Sequence, residues 1–89
     1  MSERLDEILR SRGETYGPFS GHAQITQDIK RTMQVAPKWG DLTDAQREAL
    51  EMIAHKIGRI LNGDPNYPDS WADIAGYAQL VVNILEAYQ

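Results

Sequence analysis

Asp69-Ser70-Trp71-Ala72-Asp73-Ile74-Ala75-Gly76-Tyr77-Ala78 decides how this chain folds, because from here to about Tyr88 apolar residues recur at helical spacing with almost no interruption. On a wheel at about 100° per residue, Trp71, Ile74, Ala75, Ala78, Val81, Val82 and Leu85 share one broad face, the stripe expected of a core-facing helix. Tyr77, Leu80, Ile84 and Tyr88 make a second apolar face, and Asp73 falls on it. Gln79, Asn83 and Glu86, with the small Ala72 and Gly76, leave only a narrow polar strip. A helix this apolar all round belongs at the centre of its domain or in a subunit contact, so the chain is read as organised around it. Asp73 then has two readings. It is the N3 member of a capping box begun by Ser70, or it is a carboxylate that is paired or metal-bound because an uncompensated buried charge is too costly.

Upstream, Asn62-Gly63 ends a preceding helix, and Asp64-Pro65-Asn66-Tyr67-Pro68 makes a tight link restricted by two prolines. That third helix begins at Thr43-Asp44-Ala45-Gln46, which has the spacing of a capping box. Leu50, Ile53, Ala54, Ile57, Ile60 and Leu61 form its apolar stripe. A second helix is expected from near Ser20 to about Gln34, with His22, Ile25, Ile29 and Met33 at helical spacing and Lys30 and Arg31 solvated. Ala36-Pro37-Lys38-Trp39-Gly40-Asp41 breaks it. The first helix is expected from a Ser2 cap to about Arg12, with Leu5, Ile8 and Leu9 inward and Gly13 as the stop. Tyr16 and Phe19, in the Gly17-Pro18 turn, are expected to plug the end of the bundle, with ligand stacking as the alternative. The whole reads as one all-α domain, a small four-helix bundle expected to be oligomeric.

Composition limits what the domain can do. Eighty-nine residues form a single modest core, and the absence of cysteine excludes disulfides and thiolate metal sites. A formal net charge of −4 argues against duplex nucleic acid, whose binding is dominated by cations on phosphates. No run approaches the roughly 20 apolar residues of a membrane span, and the charged Met1 to Arg12 stretch has no apolar signal region, so a cytoplasmic protein is expected.

Two residue groups could carry chemistry. Glu48, Glu51, His55 and Arg59 lie opposite the apolar stripe of the third helix, with Lys56 between that row and the core. They are a solvated face with local ion pairs, or Glu48 and Glu51 join Asp69 and Asp73 across two antiparallel helices as hard oxygen ligands suited to Mg2+. Lys56 and Arg59 complement the dipole at their helix end, or with His55 they hold phosphates while Tyr16, Tyr67, Trp71 or Tyr77 stacks on a base. No phosphate-binding glycine loop, nucleophile triad or zinc motif occurs.

The spacing Glu48-x-x-Glu51, then Asp69-x-x-x-Asp73, resembles the all-α nucleoside-triphosphate pyrophosphohydrolases of the MazG-like group. That resemblance implies Mg2+ held by these acids and cleavage between α- and β-phosphates, although the family has Glu-x-x-Asp where this chain has Asp69-x-x-x-Asp73. Ile8-Leu9, Arg12-Gly13-Glu14-Thr15-Tyr16-Gly17, Lys56-Ile57-Gly58-Arg59-Ile60 and the Asp69–Ala78 block are similar to a family of small, mainly bacteriophage-encoded helical proteins of unknown function. This second resemblance implies a phage origin and a host bacterial cytoplasm. The expected function is binding of a nucleotide or nucleotide-derived signal without turnover, such as a sponge for a bacterial immune signal. A Mg2+-dependent pyrophosphohydrolase and a protein-binding adaptor are the alternatives. A homo-oligomer is expected through the Tyr77, Leu80 and Ile84 side.

Overall fold

Ser2 starts the first helix as its position predicts: its hydroxyl accepts from the Leu5 N–H at 3.2 Å. In the computed structural model, which describes residues 2–87, this helix, α1, spans Glu3–Tyr16. Gly13 does not stop it. The stop is Gly17, whose φ of 76° is open to glycine without a Cβ penalty. Pro18 is then the N-cap of α2, Phe19–Gln34, one residue earlier than the Ser20 start expected from sequence. A short 3-10 turn at Trp39–Asp41 follows, held by Arg47, which donates to Trp39 O at 3.2 Å and Gly40 O at 3.0 Å.

The capping box at Thr43 forms in full. Gln46 N–H donates to Thr43 Oγ1 at 3.1 Å, Thr43 N–H donates to Gln46 Oε1 at 2.9 Å, and α3 runs Asp44–Asn62. After a turn closed by Asp64, α4 spans Pro68–Ala87 with a proline at its first position, where no N–H is needed. That start overturns the capping reading of the last helix. Ser70 is already inside it and buried, and Asp73 lies in its second turn. The expected contribution of Tyr88 to an apolar face lies outside the described residues.

The four helices pack as an all-α, bundle-like fold with no strand among the described residues. Its centre is α3 and not the last helix, since α2 and α4 each pack mainly on α3 while α1 touches α2 and α3 more lightly. Ala49 faces the α4 side, sharing a groove with Ala78 and Val81, whereas Gly58 lies against His22 and Thr26 of α2. Nine residues separate Ala49 from Gly58, two and a half turns, so the two neighbours sit on opposite sides of α3. A Cβ at Gly58 would run into the Thr26 hydroxyl and the His22 ring, so glycine there sets how closely α2 approaches.

The apolar stripes divide accordingly. On α4 the covered line is Ser70, Ile74, Tyr77 and Val81, so α3 packs between the two faces read from sequence. One flank leaves Trp71, Val82 and Leu85 exposed, and the other leaves Leu80 and Ile84. On α3, Leu50 and Leu61 are exposed although they belong to the expected core stripe. Phe19 does not plug the bundle: it is 79% exposed. Among the described residues no helix is long and apolar enough to cross a membrane.

Candidate functional site

Asn62, at the last turn of α3, builds the corner on which the site depends. Its Nδ2 donates to Tyr16 O at 2.9 Å and to Pro18 O at 2.8 Å, and Asp64 N–H donates to Thr15 O at 2.7 Å. The α1–α2 corner is thereby fastened to the end of α3. The corner and the three helices enclose a cavity of about 420 Å3 lined by Leu9, Arg12, Gly13, Tyr16, Gly17, Pro18, Phe19, His22, His55 and Arg59. This is the size range of small-molecule sites.

Its electrostatics have one sign. Arg59 from α3 and Arg12 from α1 both line the cavity, and no carboxylate does. Ion pairs occur elsewhere, in Arg31–Asp28, Lys38–Asp41, Arg47–Asp44 and Lys56–Asp73, but among the described residues neither Arg12 nor Arg59 is paired. The Arg59 guanidinium carbon lies 4.1 Å from the centroid of the Tyr16 ring, an attraction that orients the charge without neutralising it. Tyr16 is itself braced edge-on by Tyr67 at 5.9 Å.

Two histidines form the inner wall. His22 and His55 meet edge to face with ring centroids 4.6 Å apart. Burial followed by the charges of Arg59, His22, Lys56 and Lys30 lowers His55 to about 4. His22 is lowered too, mainly by burial, with a hydrogen bond to the Gly58 backbone acting in the opposite direction. Both rings are therefore neutral at pH 7, each able to donate one hydrogen bond and accept another. An anion in the cavity would offset the cations that depress them.

Of the residues expected from sequence, Tyr16, His55 and Arg59 come together here. Lys56 does not. Its Nζ pairs with Asp73 Oδ2 at 3.0 Å between α3 and α4, and its side chain is only 12% exposed. Trp71 donates from its indole to Pro65 O at 2.8 Å, and Tyr77 sits beside Asp73 on α4, so neither lines the cavity. The row opposite the apolar stripe is also not a simple solvated face, because His55 packs on His22 of α2. For the acidic set, Glu48 is exposed, Glu51 is half-buried, Asp69 accepts from the Tyr67 hydroxyl at 3.1 Å, and Asp73 is bound to Lys56. Among the described residues no three His, Asp or Glu side chains group as metal ligands. Sequence reasoning left Arg12 and His22 out of the site and gave ligand stacking by Phe19 only as an alternative. The four-residue step from Arg12 to Tyr16 on one helix was the available signal for Arg12.

A family model described as "Domain of unknown function (DUF6378)" matches residues 1–85. No curated protein and no solved structure matches the chain.

Proposed function

This chain belongs to the DUF6378 family, and we propose that it binds a phosphate-bearing small molecule of nucleotide type in the α1–α2–α3 cavity without converting it. One observation carries the reading: two arginines with no carboxylate partner among the described residues converge on a cavity that no acid lines. Arg59 offers a planar fork to phosphate oxygens, held in place by Tyr16, and Arg12 brings a second fork from α1. His22 and His55 add neutral hydrogen-bonding groups. Tyr16 and the exposed Phe19 give apolar and aromatic surface at the rim for a base.

Binding without turnover is preferred because catalysis of the MazG-like type needs Glu48, Glu51 and Asp73 around one ion, and Asp73 is engaged by Lys56. In keeping with the resemblance to bacteriophage proteins, the ligand on this reading is a nucleotide signal of the host cell and the protein sequesters it. A screen of the purified protein against nucleoside triphosphates and cyclic nucleotide signals, with and without Mg2+, tests this. The expected result is saturable binding that does not need Mg2+, with the ligand recovered intact. Mg2+-dependent release of pyrophosphate would replace the proposal with an enzyme.

A further inference from the structure

The chain buries too little of itself to stand alone. Its buried apolar residues among those described are Ala49 and Ala54, and no large side chain is fully buried. Its accessible surface is 6437 Å2. A compact monomer of 10.0 kDa exposes about 5,200 Å2, so about 1,200 Å2 is in excess. The Cα radius of gyration, 15.4 Å, likewise exceeds the roughly 12 Å of a compact domain of this length. A stable dimer buries about 800 Å2 or more on each partner, so the excess is the amount that one copy would cover.

Five of the twelve large apolar side chains exposed among the described residues gather on one face. Leu50 and Leu61 lie eleven residues apart on one strip of α3, and Trp71, Val82 and Leu85 lie on one flank of α4. Leu50 shares a groove of about 290 Å3 with Ala78 of that same flank, so the two strips adjoin. Leu61 is 65% exposed and Trp71 55%. No charged residue belongs to either strip, whereas the opposite side of the α3–α4 pair carries the Lys56–Asp73 ion pair. We infer that this α3–α4 face binds the same face of a second copy, giving a dimer whose four central helices enclose the core that the single chain lacks. A second copy suits it because an uncharged face meets itself without repulsion, even though each chain carries a net charge of −4. Arg59 is two residues from Leu61, about 200° round the helix, so pairing leaves the cavity open. The sequence pattern alone favoured the Tyr77, Leu80 and Ile84 side for self-contact, and that side serves as the comparison.

Light scattering at micromolar concentration should give twice the 10.0 kDa of one chain. Val82→Glu should weaken association by roughly 100-fold or more, since it places an unpaired carboxylate in the contact. Leu80→Glu should leave the dimer intact. In the unmutated protein, the methyl groups of Leu50, Leu61, Val82 and Leu85 should be shielded from a soluble paramagnetic agent at high concentration and become accessible on dilution. This readout stands even if Val82→Glu fails to fold. A 10.0 kDa monomer at micromolar concentration, methyls equally accessible at all concentrations, or loss of the dimer in Leu80→Glu but not in Val82→Glu would each overturn the assignment.

Discussion

His22 of α2 and His55 of α3 pack ring edge to ring face at 4.6 Å, and folding holds both below the ordinary histidine value of 6.5. The folded state therefore prefers both rings neutral. Their contribution to stability is complete above about pH 6.5 and is lost as pH falls through the window toward 4, where His55 titrates in the folded chain. Arg59 and Lys56 from α3 and Lys30 from α2 add to the burial that sets this window. Thermal melts should decline across that range, and His55→Gln should flatten most of the decline. Parallel curves for the two proteins would remove the histidine pair as the cause.

Lys56 and Asp73 join α3 to α4, with the lysine nearly enclosed and the carboxylate half exposed. Asp73→Asn leaves the ammonium without its counter-charge. The expected cost is about 1 to 3 kcal/mol, below the 3 to 5 kcal/mol of a fully buried pair because water still reaches the site. The loss should be the same with and without Mg2+. Calorimetric or dichroism melts check it, and a Mg2+-dependent difference between variant and parent would restore a metal role for Asp73.

Asn62 holds the α1–α2 corner through two carbonyls that are distant in sequence, those of Tyr16 and Pro18. Asn62→Ala should destabilise the chain by about 1 to 3 kcal/mol by leaving both acceptors without this donor. Because the corner forms the rim of the cavity, the variant should also bind ATP more weakly at temperatures where it remains folded. Normal affinity in a destabilised Asn62→Ala protein would separate the corner from the site.

The existence and order of the four helices were readable because each has its own apolar period, and the Ser2 and Thr43 caps mark two of the starts. The end of α1 was misplaced because two glycines were available. A helix interior tolerates Gly13, while the positive φ that ends the helix is needed only at Gly17. The all-round apolarity of α4 could not distinguish a central helix from one in a subunit contact, and α3 proves to be the central one. At the site, sequence proximity misled. His55, Lys56 and Arg59 read as one cationic group, but a single residue step rotates Lys56 toward Asp73, while His55 and Arg59, four apart, face the cavity. His22 was correctly placed on an apolar side, yet its neighbour His55 is on another helix, and no periodicity within one helix reports such a pairing.

The most direct test of ligand binding at the Arg12 and Arg59 cavity is an NMR titration of the His55 ring with ATP in the presence of a chelator. Phosphate near the ring offsets the charges of Arg59, Lys56 and Lys30, so binding should raise the His55 pKa above its value of about 4. The phosphorus spectrum should show ATP unchanged. Arg59→Ala should weaken binding by about 10- to 150-fold, the equivalent of roughly 1.5 to 3 kcal/mol in charge-assisted hydrogen bonds. A His55 resonance that does not respond to millimolar ATP, GTP or cyclic dinucleotides, or an ATP affinity unaltered in a folded Arg59→Ala protein, would contradict the assignment.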